Sequence, residues 1–338
     1  MDIVEGAPSV ISATEWDSFA EQGYLQLGPL LSEETVERLK ERADALALGT
    51  ISNEGVVVQH DTGGIYEELP SAEAAGLHPT LKYRKINGLE ADDEFSKLLR
   101  LPVCREIFDH LYGPHATMAT FRAMIMNKPA ELGTFLPWHQ DGGTVWQLDR
   151  DPLMTFWVAL DDATIANGCM EVIPGSHNLG LLSTFGSVVQ EDDVDRHCAK
   201  ELRVPLEVPA GHGVLLHNWI LHRSGINTTP MPRRAFTACF LDARTLNLQT
   251  GKFFPTIDGP QPETPKFLEV MHETEVHLRA SLLEAENYVQ HLQASFAEAE
   301  TYALDLERAL AQRDVELEEL RAQLNNKEDR SLFRKRRA

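Results

Sequence analysis

Polar and apolar positions fall into three textures along the chain. Near the N-terminus helical spacing dominates: "SATEWDSFAEQG" opens on a Ser/Thr cap and closes on Gly23, and "SEETVERLKERADALAL" is a second capped, amphipathic helix. The "YLQLGPLL" stretch between them predicts a strand. From about residue 80 to 245 the pattern changes to short apolar runs, among them "ATFRAMIM", "MTFWVAL", "CMEVIP", "HGVLLHNWI" and "RAFTACFLDA", broken by Gly, Pro, Asn and Asp. Many short strands with frequent turn signals predict an antiparallel sandwich or barrel, not alternating βαβ units.

The third texture begins after "FFPTIDGPQPETP", which reads as a boundary; no Gly or Pro follows Pro265. Here the apolar positions keep a heptad. One seam runs Leu282, Val289, Phe296, Ala303, Leu310, Leu317, Leu324, and the other Leu278, Ala285, Leu292, Ala299, Leu306, Arg313, Leu320. Such a pattern predicts a coiled coil, and with it a homo-oligomer or docking on a partner. The organisation expected is a catalytic domain over 1–262, a coiled coil over 266–326 and a solvated basic tail over 327–338, where "RSLFRKRRA" gathers positive charge.

Composition narrows the partners. A net charge of −21 argues against nucleic acid, which demands clustered positive charge. No stretch has the length and apolarity of a membrane span, and "MDIVEGAPSVISATEW" lacks the basic and apolar regions of a signal peptide. The four cysteines show no CxxC and no framework spacing. They fit reduced thiols, so a cytoplasmic protein acting on a small molecule is expected.

The candidate chemistry starts at "LPWHQDGGTVW". A bare His-x-Asp is a weak signal, but in a strand residues i and i+2 share a face, so His139 and Asp141 could hold one metal ion. A third ligand should then come from a distant strand. "HNWILHRSGINTTPMPRR" offers His217 and His222, which are five apart and cannot both point inward from one strand; His217 also fits a satisfied core histidine. Two histidines and a carboxylate on one face of a metal suit non-haem iron and oxygen chemistry, though zinc hydrolases use a similar set. Arg233, eleven residues past His222 and expected on the neighbouring strand, suits bidentate pairing with a carboxylate; Arg234 beside it is a rival.

Taken together, His139-x-Asp141, "LHRSGINTT" and Arg233 resemble the phytanoyl-CoA dioxygenase family of Fe(II)/2-oxoglutarate oxygenases. The likeness extends upstream through "RKINGLEADDEFSKLL", "GPHATMATFRAMIMNKP" and "FWVALDDATIANGCMEVIPGSHNLG", covering roughly residues 15–245. It implies a mainly β fold, a double-stranded β-helix (jelly-roll) with flanking N-terminal helices, to which the C-terminal helix is an addition. By position it makes His139, Asp141 and His222 the iron ligands. It assigns 2-oxoglutarate to Arg233 and Ser224, with Lys85, Met124 and Trp157 as further contacts. The activity implied consumes O2 and 2-oxoglutarate, oxidises a small molecule, and releases succinate and CO2. Asp141 points to hydroxylation, since related halogenases lack that carboxylate. No basic cluster for a CoA tail is evident along the chain, so the family name does not carry over as substrate. The competing readings are an idle jelly-roll serving as a coiled-coil scaffold, and a zinc hydrolase on a similar barrel.

Overall fold

A computed structural model describes residues 10–61 and 79–335. Its elements follow the chain as α1 (Ala13–Gln22), β1 (Tyr24–Pro29), α2 (Glu33–Ala47), β2 (Val57–His60), β3 (Tyr83–Asn87), α3 (Pro102–Tyr112), β4 (Met118–Lys128), β5 (Leu136–Gln140), β6 (Met154–Ala159), β7 (Met170–Val172), β8 (Ser187–Val188), α4 (Glu191–His197), β9 (Val204–Leu206), β10 (His212–His217), β11 (His222–Ser224), β12 (Arg233–Asp242), β13 (Leu246–Asn247), β14 (Lys252–Phe253) and α5 (Lys266–Lys335). The two N-terminal helices start where their caps predict. Ser12 closes a capping box with Glu15, Ser32 accepts from the Thr35 amide, and Gly23 ends α1 in the left-handed region at φ 78°.

The strands form a seven-stranded sheet in the order β1-β10-β6-β12-β4-β3-β2 and a five-stranded sheet in the order β8-β5-β11-β7-β9, both antiparallel. A small β13–β14 ladder follows. The mainly β, antiparallel reading therefore holds, and two such sheets are consistent with a jelly-roll.

The larger sheet is buried on both faces. Phe236, Ala238 and Phe240 of β12, with Phe156 and Val158 of β6, join the core formed with α1, α2 and α3. Their alternate neighbours turn the other way: Trp157, Ala159 and Ala235 pack with Met170, Val172 and Leu206 of the smaller sheet. Burial on both sides explains why β6 and β12 read as nearly unbroken apolar runs. The polar residues that do interrupt them mark the cavity face.

The chain divides into two compact units, Met1–Glu269 and Val270–Ala338. In the second, α5 is one continuous helix through Lys335, so the expected basic tail begins inside it, and residues 336–338 lie outside those described. Its seam residues Leu278, Leu282, Val289, Leu292, Phe296, Leu306, Leu310 and Leu317 are exposed. Among the described residues no helix is long and apolar enough to cross a membrane, and all four cysteines are buried and free.

Candidate metal centre and its cavity

β5 and β11 are neighbours in the smaller sheet, and their register sets His139 directly opposite His222. The two imidazoles lie 3.9 Å apart between ring centroids. Asp141 joins them: one donor atom from each of His139, Asp141 and His222 falls within 4.8 Å of the others. Asp141 lies just past the end of β5, not inside the strand as its spacing suggested. Its amide leaves the ladder and donates to the Asn218 carbonyl at 2.8 Å, while Gly142 and Gly143 turn the chain away.

The histidines are prepared alike. Nδ1 of His139 lies 2.9 Å from the Pro137 carbonyl, and Nδ1 of His222 lies 3.0 Å from the Ile220 carbonyl. A carbonyl only accepts, so each Nδ1 carries a proton and Nε2 is the ring nitrogen left for the cluster. Burial, reinforced by His222, pushes His139 down to about 3, so it is neutral at physiological pH. For Asp141, burial alone would raise the carboxyl, but Arg122, the two histidines and Lys85 outweigh it and hold the group below its usual value. Arg122 Nη2 donates to Asp141 Oδ1 at 3.3 Å. Two imidazole nitrogens and one carboxylate, each oriented by a second partner, fit a divalent cation.

His217 is elsewhere. Its Nδ1 accepts from the Trp219 amide at 3.0 Å, and its ring faces His177 at 4.9 Å. It is a half-buried histidine packed against His177 and Trp219, outside the three-residue cluster.

The cluster opens into a cavity of about 130 Å³ between the two sheets, lined also by Lys85, Met124, Trp157, Ser224 and Arg233. Every sequence-predicted site residue thus borders one space. Thr237 of β12 is paired with Met124 of β4 on one side and Trp157 of β6 on the other, so the three form a row across the cavity floor.

Arg233 differs from the expectation in one respect. It does not sit on a strand neighbouring His222: β11 belongs to the smaller sheet and β12 to the larger, so the loop between them crosses the sandwich. This brings the guanidinium to the cavity from the opposite wall. Arg233 is 4% exposed and donates from Nη2 to the Gly168 carbonyl at 2.7 Å, yet its Nε is buried with no partner and no ion pair satisfies it among the described residues. Burial lowers it to about 10. Such a cation is costly unless a ligand completes it. Arg234 has the opposite fate, bonded to Asp161 at 2.8 Å and to Asp44 at 2.9 Å as a structural tie.

Several site residues escaped the sequence reading. Arg122, Met126 and Lys128 alternate with Met124 along β4 and face the same cavity; a period-two reading of "ATFRAMIMNK" would have found them. Lys128 stands directly opposite Arg233 in the ladder, and burial with Arg233 beside it pushes the amine well down. Burial, with Arg84 and Arg122, lowers Lys85 to about 7. The absence of a basic cluster along the sequence does not extend to space, because Arg84, Lys85, Arg122, Lys128, Arg223 and Arg233 all border the cavity.

The loop that carries Asp141 is locked by glycine contacts. A Cβ on Gly186, which has φ 91°, would lie 1.8 Å from the Gly142 carbonyl oxygen. Gly186→Ala is therefore expected to push this crossing apart and weaken divalent metal binding severalfold while leaving the distant core folded. Titration calorimetry with Mn(II) checks this, and unchanged affinity would show that the crossing does not position Asp141.

The fold and its metal-ligand cluster together point to a dioxygenase. The chain matches the phytanoyl-CoA dioxygenase (PhyH) family over residues 19–235, and it belongs to that family. Phytanoyl-CoA dioxygenase 1 of Oryza sativa subsp. japonica is 29% identical over 271 residues, covering 72% of this chain and 94% of the rice protein. The peroxisomal phytanoyl-CoA dioxygenase of Mus musculus is 24% identical over 243 residues, 69% of each chain. Among solved structures, EctD from S. alaskensis with 2-oxoglutarate and 5-hydroxyectoine superimposes with a TM-score of 0.56 at 21% identity, over 79% of this chain and 86% of that one. The non-heme alpha ketoglutarate dependent carbocyclase SnoK from nogalamycin biosynthesis gives a TM-score of 0.54 at 21% identity, over 77% and 97%. These likenesses show the shared fold.

Proposed function

We propose that this dioxygenase uses iron(II) and 2-oxoglutarate to hydroxylate an aliphatic carbon of a small molecule, with succinate and CO2 as co-products. One observation carries the reading: a buried His139–Asp141–His222 cluster shares its cavity with a buried arginine that lacks a carboxylate partner among the described residues. The donor set alone also suits zinc. Arg233 favours a dicarboxylate co-substrate, which a simple zinc hydrolase does not need.

Iron(II), when bound by His139, Asp141 and His222, would supply the activation of O2. The residues do the rest. His139 and His222 would present Nε2 to the metal, and Asp141 would supply one negative charge from a carboxylate steadied by Arg122. Arg233, with Ser224 near it, anchors the far carboxylate of 2-oxoglutarate and so fixes its length against the metal. Met124 and Trp157, both nearly buried, keep water from the space between.

The test is anaerobic addition of iron(II) and 2-oxoglutarate to the full chain, with 2-oxoglutarate turnover then measured across substrate panels. A weak visible charge-transfer band is expected; a folded protein without it would sink the reading.

The proposed division is a catalytic domain ending near residue 262 and an α5 that pairs with α5 of another copy. Its exposed heptad seam supports this. Truncation after residue 262 is expected to lower the oligomeric state by light scattering while 2-oxoglutarate turnover persists. Equal oligomeric states would refute pairing through α5, and loss of metal binding would make the helix part of the catalytic unit.

A further inference from the structure

The three ligand candidates are not held equally. His139 is paired with His222 on one side and Val188 on the other, and His222 is paired in turn with Val172. Each histidine therefore sits inside its sheet with a strand on either side. Asp141 has no such support. The β5–β8 pairing ends at Gln140, and Gly142 and Gly143, at φ 142° and 84°, follow Asp141 at once. Among the described residues its carboxylate pairs with Arg122 alone, at 3.3 Å, and Arg122 is itself partly exposed.

The backbone of Asp141 is fixed by the turn between β10 and β11, through its amide and the Asn218 carbonyl at 2.8 Å. Asn218 is 1% exposed, and its other three polar groups all turn toward the larger sheet. Its amide donates to the Leu153 carbonyl at 3.1 Å, just ahead of β6. Its Oδ1 accepts from the Thr155 hydroxyl at 2.8 Å, and its Nδ2 donates to Cys239 Sγ at 3.3 Å. Thr155 of β6 and Cys239 of β12 are ladder partners, so one carboxamide spans two neighbouring strands. The Cys239 thiol donates to the Met154 carbonyl at 3.4 Å, which leaves its sulfur to accept. A donor and an acceptor on one short planar group suit this pair of partners.

We propose that Asn218 is a positioning residue for the metal centre, carrying the placement of the larger sheet to Asp141, the one ligand its own sheet does not hold. The proposal rests on the reading of Asp141 as a ligand. The side chain is bonded away from the cluster and acts through the carbonyl that takes the Asp141 amide. Releasing it lets the β10–β11 turn drift, and the carboxylate drifts with it while the two histidines keep their register.

The experiment measures Mn(II) binding to the full chain by titration calorimetry, without 2-oxoglutarate, and the visible absorption of the Co(II)-loaded protein. Asn218→Ala keeps the carbonyl and removes its anchor. It should weaken Mn(II) binding about tenfold, the low end of the cost of losing a residue that orients a ligand, and alter the Co(II) absorption. Val36→Ala, on the buried face of α2, is the control: it should lower the thermal midpoint and leave both metal readouts unchanged. Unchanged Mn(II) affinity in Asn218→Ala, or an equal loss in Val36→Ala, would overturn the proposal. If Asn218→Ala does not fold, two variants of Thr155 decide. Thr155→Val strands Asn218 Oδ1 and should lose affinity, whereas Thr155→Ser keeps the hydroxyl and should retain it; equal affinities overturn the proposal. An unaltered protein that binds no divalent metal would instead defeat the metal reading beneath it.

Discussion

His222→Ala is expected to lose iron(II) binding by more than about 100-fold, while His217→Ala keeps it. Changing a residue that merely orients a metal ligand costs about 10- to 100-fold in affinity, and removing a ligand should exceed that. His222 offers a free Nε2 because its Nδ1 proton is held by the Ile220 carbonyl. His217 offers none toward the cluster, and its loss strands the Trp219 amide instead. His217→Ala should therefore lower stability by roughly 1 kcal/mol, the low end of the cost of an unsatisfied donor, since this one is only partly buried. Metal content after dialysis and the thermal midpoint separate the two effects. If His217→Ala lost the metal and His222→Ala retained it, the ligand assignment would be wrong. His139→Ala and Asp141→Ala should behave like His222→Ala.

The second large effect separates two adjacent arginines. Arg233→Ala should raise the 2-oxoglutarate concentration needed for half-maximal turnover by about 10- to 100-fold, the equivalent of one charge-assisted hydrogen-bonded pair. Iron affinity should change little, because no metal-ligand candidate touches this side chain. Arg234→Ala should leave the 2-oxoglutarate requirement nearly intact and cost roughly 3 kcal/mol of stability, since it takes the nearer cation from Asp161 in a mostly buried pair and leaves only Lys40 at 3.3 Å. Co-substrate titrations and denaturant unfolding on both variants check this. Equal co-substrate defects in the two would mean that the carboxylate is read by the pair and not by Arg233.

The structure explains why Arg233 and Arg234 cannot be told apart in the sequence. Adjacent strand residues face opposite sides, so one must enter the cavity and the other must meet α2 and its surroundings. Which is which depends on the register of β12 against β4 and β6. The same holds for His217 and His222. Both lie on or beside short strands, and only the pairing of β11 with β5 brings one of them to His139.

Local sequence was enough wherever the physics is local. Ser12, Ser32 and Gly23 fixed helix ends because capping involves hydrogen bonds within a few residues. The short apolar runs foretold β4, β6, β10 and β12 because strands buried on both faces need such runs, and the long unbroken heptad foretold α5. Tertiary structure alone decided the electrostatics. Arg84, Lys85, Arg122, Lys128, Arg223 and Arg233 are scattered over about 150 positions of an acidic chain, and no window of sequence shows them together. Antiparallel pairing and a loop that crosses the sandwich gather them around one carboxylate, because Coulomb interactions depend on distance in space and not on separation along the chain.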